Sequence, residues 1–396
     1  MVELPDGTLL CCWFAGTYEG SADIRIICSV LPKDGAQWLP PVDISGDPTR
    51  SEQNPSLFYG PDNAVWAMYT AQLDRQAGKD NMQYTAVVRC QKSTDGGKTW
   101  GLYETIFPEE GTFCRQPIQV LSNGRWIFAN WLCTDSAEAC PATHCFPHSD
   151  DEGKTWHMVM MPKSNGHVHA NVVELEPGHL VAFMRNREAY RIHRSESFDW
   201  GETWSEPVAT PLPNNNSSIS ALKLQSGRIA IAYNPTCTPT PQPGKAAWPG
   251  LRCPVAVALS EDGGKTFPMI RWMERGEGFM GDENKTNNKQ YEYPYLMQSR
   301  DGAMHLTYAA RTRQASNTSA SVKKMSWARS ARRWGCTTPP PPRPADFLKE
   351  EICYADPVQS EDAARSLRRR ERNGQHHRHH QGPWCKEGGN VHRQGH

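Results

Sequence analysis

The chain lacks what a helical or membrane-spanning protein needs. Between Met1 and about Ala328 almost no apolar pattern of helical period appears, and no stretch approaches the roughly 20 consecutive apolar residues of a transmembrane helix. A charged start followed by an apolar run, the mark of a secretory leader, is also missing, so a soluble chain is expected, monomeric and of unassigned compartment. Net charge is absent: 43 Lys and Arg balance 43 Asp and Glu, which leaves no electrostatic reason to expect a nucleic-acid partner. The 13 cysteines form no CxxC pair and no CxxC with a downstream HxxxH, so neither a zinc site nor a disulfide framework is read. Cys140 and Cys145 are close enough to close a small loop, although buried or incidental thiols are the preferred reading. No metal and no cofactor is expected.

What is present is repetition, and repetition decides architecture. The pattern S-x-D-x-G-x-T-[WF] occurs four times, as STDGGKTW from Ser93, SDDEGKTW from Ser149, SFDWGETW from Ser197 and SEDGGKTF from Ser260. Its Ser and Asp suit bonding to nearby backbone amides, its Gly suits a left-handed turn, and its terminal aromatic suits packing under a sheet. That chemistry predicts a structural staple rather than a catalytic motif. A second pattern, an apolar strand, a polar-Gly or Asn turn and a second apolar strand, occurs six times, with turns near Gly7, Asn63, Gly124, Gly178, Gly227 and Gly302. The turns lie about 50 to 75 residues apart, room for one four-stranded unit each. The expected fold is all-β, a six-bladed β-propeller over residues 1–328.

After Lys324 the composition changes to Arg runs, a TTPPPPRP segment from Thr337 and a tail rich in His, Arg, Gln and Gly. Residues 329–396 are expected to be a low-complexity, disordered tail, and the HHRHH run at His376–His380 is read as solvated rather than metal-binding. The chain opens inside the first strand of the first blade. The strand that closes the ring is therefore expected from the C-terminal region, unless the chain is truncated.

The four Asp boxes, together with VELPDGTLLCCWFAGTYEG from Val2, RNREAYRIHRSESFDWGETWSEP from Arg185, LPNNNSSISALKLQSGRIAIAYN from Leu212 and YEYPYLMQSRDGAMHLTY from Tyr291, resemble the sialidase superfamily in its BNR or Asp-box branch. The resemblance covers roughly residues 1–325. It is specific for fold and weak for activity, because such repeats also occur on propellers with other functions.

In a propeller, starts of first strands and ends of second strands share one mouth, and the Asp-box turns lie at the opposite rim. The mouth so defined is rich in ionisable groups, which suits an acidic carbohydrate ligand. Arginine forks bind a carboxylate through two parallel hydrogen bonds, and sialidases use an arginine cluster in that way. By the resemblance, Arg185 or Arg187 matches its middle member, with Arg115 and Arg313 as further members. Two residues apart on a strand, Arg185 and Arg187 are expected to face one way.

Sialidases attack with a tyrosine assisted by a glutamate. The resemblance places that nucleophile at Tyr293, preceded by Glu292 and by Tyr291, which alternation puts on the same side as Tyr293. Glu19 or Asp23 is the expected acid, its pKa raised by burial beside Trp13 and Phe14, unless both merely cap the turn. His167, His169 and Asn216 are candidate sugar-binding groups, and either histidine also suits a base. The arginine that sialidases carry near the N-terminus has no counterpart. The expected activity is therefore exo-hydrolysis of a terminal acidic sugar of sialic-acid type, with a uronate-directed lyase or a non-catalytic glycan-binding propeller as alternatives.

Overall fold

The computed structural model describes residues 1–17, 19–75, 82–134, 142–248, 252–274, 291–310, 319–325 and 351–354. All of them fall within one compact unit, Met1–Ala355. Among them the only helical turn is the short 3-10 segment Gln83–Thr85, and every other regular element is a strand. The all-β expectation therefore holds. The tail expected from 329 onward lies outside the described residues except for Glu351–Tyr354, which pairs with the strand Ser319–Met325 as the last member of its sheet.

Six strand groups follow one another in chain order, all antiparallel, and in every group but the third the paired strands are neighbours in sequence. The first contains Val2–Glu3, Leu9–Ala15, Arg25–Leu31 and Val42–Asp43, and the second begins with Arg50–Tyr59. The third is divided into two three-stranded pieces, Thr112–Cys114 with Asn130–Cys133 and Ala142–Cys145, and Gln119–Val120 with Trp126–Ile127 and His148–Ser149. His167–Glu176, Ser220–Lys223 and Tyr291–Gln298 open the fourth, fifth and sixth groups.

Local chemistry explains the hairpins. In five of the groups the same pair of bonds closes the first turn, as in Leu4 N to Thr8 O at 2.8 Å and Gly7 N to Leu4 O at 2.9 Å. Gly7, Asn63, Gly124, Gly227 and Gly302 occupy the left-handed position this turn requires, with φ between 57° and 90°.

The Asp boxes form the expected staple. Thr99 N donates to Asp95 Oδ1 at 2.9 Å, Thr99 Oγ1 donates to Asp95 Oδ2 at 2.6 Å, and Gly97 N donates to Ser93 Oγ at 2.9 Å. The other three boxes repeat this network. Led by the Thr99 hydroxyl, these donors hold the Asp95 carboxyl at about 2. The boxes also join neighbouring groups. A Cβ on Gly97 would lie 2.4 Å from Leu10 of the first group, and one on Gly264 only 2.2 Å from Phe183 of the fourth.

Apolar cores fill the interfaces between successive groups: Leu10, Ile26 and Leu57 between the first and second, Leu180, Ala170 and Ile127 between the third and fourth, Phe183, Ile231 and Tyr233 between the fourth and fifth. The sixth group meets the first through Met1, Leu9 and Cys11 against Tyr295 and Met297, and Arg300 N donates to Glu3 Oε2 at 2.8 Å. First strands of the third to sixth groups line a shared cavity of about 250 Å³.

Candidate active site

Above that cavity the first strands are not regular. Pairing registers slip between Gln53 and Ser56, between Val168 and Asn171, and between Glu292 and Tyr295. Asn54, His169 and Tyr293 sit inside these bulges with φ of 54°, 59° and 52°, and Asn216, just before the fifth group's first strand, has φ of 58°. Four non-glycine residues held left-handed at equivalent places are strained conformations that re-aim side chains out of the sheet pattern. The result is a polar pit at the end of the molecule opposite the Asp boxes.

Tyr293 is the centre of the pit. Its ring meets Phe14 edge to face at 6.3 Å and faces the His169 ring at 5.9 Å. Three guanidiniums surround it. Arg115 Cζ stands 5.2 Å and Arg252 Cζ 5.7 Å from the ring centre, and Arg185 lies near enough to interact electrostatically with the Tyr293 hydroxyl.

Each arginine is placed by a different device. Arg185, at the end of the strand His179–Asn186, is 4 % exposed, and its Nε donates to Asn216 Oδ1 at 2.8 Å. Desolvation pulls its pKa down to about 10. Arg115, also buried, reaches Pro55 O at 3.5 Å and Tyr293 O at 3.4 Å, linking the third group to the second and sixth, and burial again lowers its pKa. Neither forms an ion pair among the described residues. Arg252 does, with Glu292 Oε2 at 3.0 Å. Burial works against its charge, but Tyr293, Glu292 and Glu19 outweigh burial and raise its pKa.

His169 completes the pit. Its ring lies 4.6 Å from Trp131, its Nδ1 pairs with Ser218 Oγ at 2.9 Å, and burial with Arg185, Arg115 and Arg187 nearby holds its pKa well below the ordinary value. It is a neutral imidazole facing a tyrosine. Trp248, 62 % exposed, stands at the rim with Arg185 Cζ 5.7 Å from its ring. It belongs to the segment between Tyr233 and Val255, which is bonded to the fourth group through Thr238 N to Ala189 O and Ala247 N to Arg187 O.

Several sequence expectations need correction. Tyr291 does not share a side with Tyr293: it is 1 % exposed in the core between the fifth and sixth groups, against Tyr308 at 5.6 Å. The bulge at Tyr293 breaks the alternation on which that expectation rested. Arg185 and Arg187 diverge as well. Arg185 turns to Asn216 of the fifth group, while Arg187 turns to Gln83 at 3.5 Å and Cys133 at 3.9 Å, because the strand ends at Asn186. Asp23 does not have a raised pKa. Its partial burial is outweighed by bonds from Ser21 and Thr17, which lower it, and it caps the turn through Thr17 N at 3.0 Å.

His167 is buried at the edge of the fourth group, against His193 at 4.5 Å, with burial lowering its pKa to about 3. Glu19 is exposed and acts electrostatically on Arg252. Arg313 and Cys140 lie outside the described residues, and Cys145 is a buried free thiol. Asn215 and Asn216, though in N-x-[ST] sequence, are buried.

Arg252 was missed. It precedes the third strand of the fifth group, Val255–Ser260, and third strands begin at the same mouth where second strands end. Extending the mouth inventory to third-strand starts finds it.

Residues 7–306 match the family described as BNR repeat-like domain, so the chain belongs to that family. A curated sialidase of Bacteroides fragilis (strain YCH46) is 27% identical over 196 residues, 47% of this chain and 34% of that protein; the chain thus spans about a third of that relative. Among solved structures, a protein of unknown function from Dyadobacter fermentans DSM 18053 superposes with a TM-score of 0.62 at 17% identity, over 81% of this chain and 92% of that one. A Hadza microbial sialidase superposes with a TM-score of 0.61 at 18% identity, over 80% and 63%. The resemblance read from the Asp boxes is borne out for the family and for an all-β fold similar to that of the solved sialidases.

Proposed function

We propose that the six groups are the blades of a six-bladed propeller whose pit is an exo-acting glycoside hydrolase site for a terminal acidic sugar of sialic-acid type. One observation carries this reading: Arg115, Arg185 and Arg252 converge on Tyr293, and two of the three have no carboxylate partner among the described residues. Buried guanidiniums without a counter-charge are costly unless an anion completes them. A sugar carboxylate does so through a two-point fork.

In this scheme Arg115 and Arg185 hold the carboxylate. The Tyr293 oxygen forms a bond to the anomeric carbon as the bond to the leaving oxygen breaks and the phenol proton passes to Glu292, while Arg185 and Arg252 favour the phenolate that attacks. Glu19 delivers the proton to the leaving oxygen, while Glu292 positions Arg252. Water then attacks the anomeric carbon, giving its proton to Glu19, as the bond to the Tyr293 oxygen breaks and that oxygen regains its proton from Glu292, which returns the same anomeric configuration.

Tyr293→Phe tests the scheme with an aryl sialoside. Loss of at least about a thousandfold in kcat with binding kept is the expected result; unchanged turnover would remove Tyr293 from the chemistry. Binding without turnover in the unaltered protein would leave a glycan-binding propeller.

A second reading is favoured by His169. A neutral imidazole opposite a tyrosine, flanked by arginines, also suits removal of the proton α to a uronate carboxylate, with Arg neutralising the charge that builds on the carboxylate. Release of an unsaturated, ultraviolet-absorbing product from a glycan with a 4-linked uronate, whose C4–O bond breaks as the C5 proton leaves, distinguishes elimination from hydrolysis.

A further inference from the structure

We infer that Arg187 forms a second anion subsite, so that the preferred ligand carries, beside its terminal acidic sugar, a second anionic group such as a sulfate ester or another carboxylate. This rests on the acidic-sugar reading of the pit. Arg187 is half-buried, its Nε is buried without a hydrogen-bond partner, and it makes no ion pair among the described residues. The contacts of its Nη2, at 3.5 Å to Gln83 Oε1 and 3.9 Å to Cys133 Sγ, are long for a guanidinium.

The side chain is nevertheless anchored at its base. Arg187 N donates to Gly166 O, and its carbonyl accepts from Ala247 N, both at 2.8 Å. The adjacent acid, Glu188, forms no ion pair with it among the described residues, and its Oε1 accepts from Gly244 N at 2.7 Å. His167 and His169, on the same group, are held neutral.

Arg187 is near enough to the pit to act on His169, as Arg185 and Arg115 do. Yet it cannot share their anion readily. Arg185 leaves the strand toward Asn216 of the fifth group, and Arg187 leaves it toward Gln83 and Cys133 of the second and third. One carboxylate seated beside Tyr293 leaves the Arg187 fork open, and a second oxyanion on the neighbouring sugar fills it.

The test compares three acidic disaccharides by calorimetric titration: one with a neutral second sugar, one with an O-sulfate there and one with a second carboxylate. The second anion is expected to tighten binding about 10- to 100-fold. Arg187→Ala should erase that preference while keeping affinity for the neutral-second-sugar compound, and Arg187→Lys should restore part of it. Whichever of sulfate and carboxylate shows the larger Arg187-dependent gain identifies the group. Equal affinity for all three compounds, or a preference that survives Arg187→Ala, overturns the inference. If no acidic disaccharide binds, the reading of the pit itself fails, and inorganic sulfate decides the subsite alone. One sulfate site lost in Arg187→Ala supports it, and unchanged stoichiometry overturns it.

Discussion

Arg185→Met keeps a long side chain but removes a guanidinium that is 4 % exposed and whose pKa burial draws from 12.5 to about 10. That shift corresponds to about 3 kcal/mol by which the fold disfavours the charged form at neutral pH. The variant also leaves Asn216 Oδ1 without its donor, which costs about 1–3 kcal/mol. The two effects nearly cancel, so the variant should lie within about 2 kcal/mol of the parent and on either side of it. Binding should behave differently. Losing a charge-assisted fork to a carboxylate costs about 2–4 kcal/mol, a loss of affinity of roughly 30-fold or more. Urea unfolding measures the first quantity, and calorimetric titration with an acidic monosaccharide measures the second. A drop in stability of more than about 3 kcal/mol with affinity unchanged would refute the reasoning and make Arg185 a structural residue.

Acid should destabilise the chain before its carboxylates titrate. His144 and His167 have folded pKa values of about 4 and about 3, both lowered chiefly by burial. Their neutral forms impose little pH dependence well above pH 6.5; as pH falls through 6.5 the unfolded chain binds protons that the folded chain refuses, and stability falls, by about 3 kcal/mol between pH 6.5 and 5 for the pair. A flat urea midpoint across that window would contradict this assignment. Gly264→Ala, with φ of 82° and a Cβ 2.2 Å from Phe183, should cost about 2–4 kcal/mol in thermal unfolding, whereas Gly124→Ala, with φ of 89° and open space, should cost about 1 kcal/mol. Equal costs would mean that the box does not press on the preceding group. Glu19→Gln should lower kcat about 100-fold with the fold unchanged, while Asp23→Asn should cost about 1 kcal/mol of stability through the Thr17 turn and spare kcat. The reverse pattern would exchange their roles.

Much of the fold was legible because its signals are local. Each Asp box closes within seven residues of its serine, and each hairpin turn closes within five, so the side chains that specify them are neighbours in sequence. The mouth was legible too, since strand direction alone places His169, Arg115, Arg185 and Tyr293 at one end. Arg252 escaped because third-strand starts were left out. Trp248 escaped because nothing local ties it to the fourth group, where Ala189 O and Arg187 O hold its segment.

Residue types and strand order thus determined by themselves an all-β chain of repeated antiparallel units, and which end of each unit carries the polar groups. Which of those groups meet was decided only by the tertiary structure. A bulge with φ of 52° separates Tyr293 from Tyr291, and a strand end at Asn186 sends Arg185 and Arg187 to different neighbours. Period-two alternation carries orientation only while the ladder stays in register, and at the pit register is set by packing between groups distant in sequence.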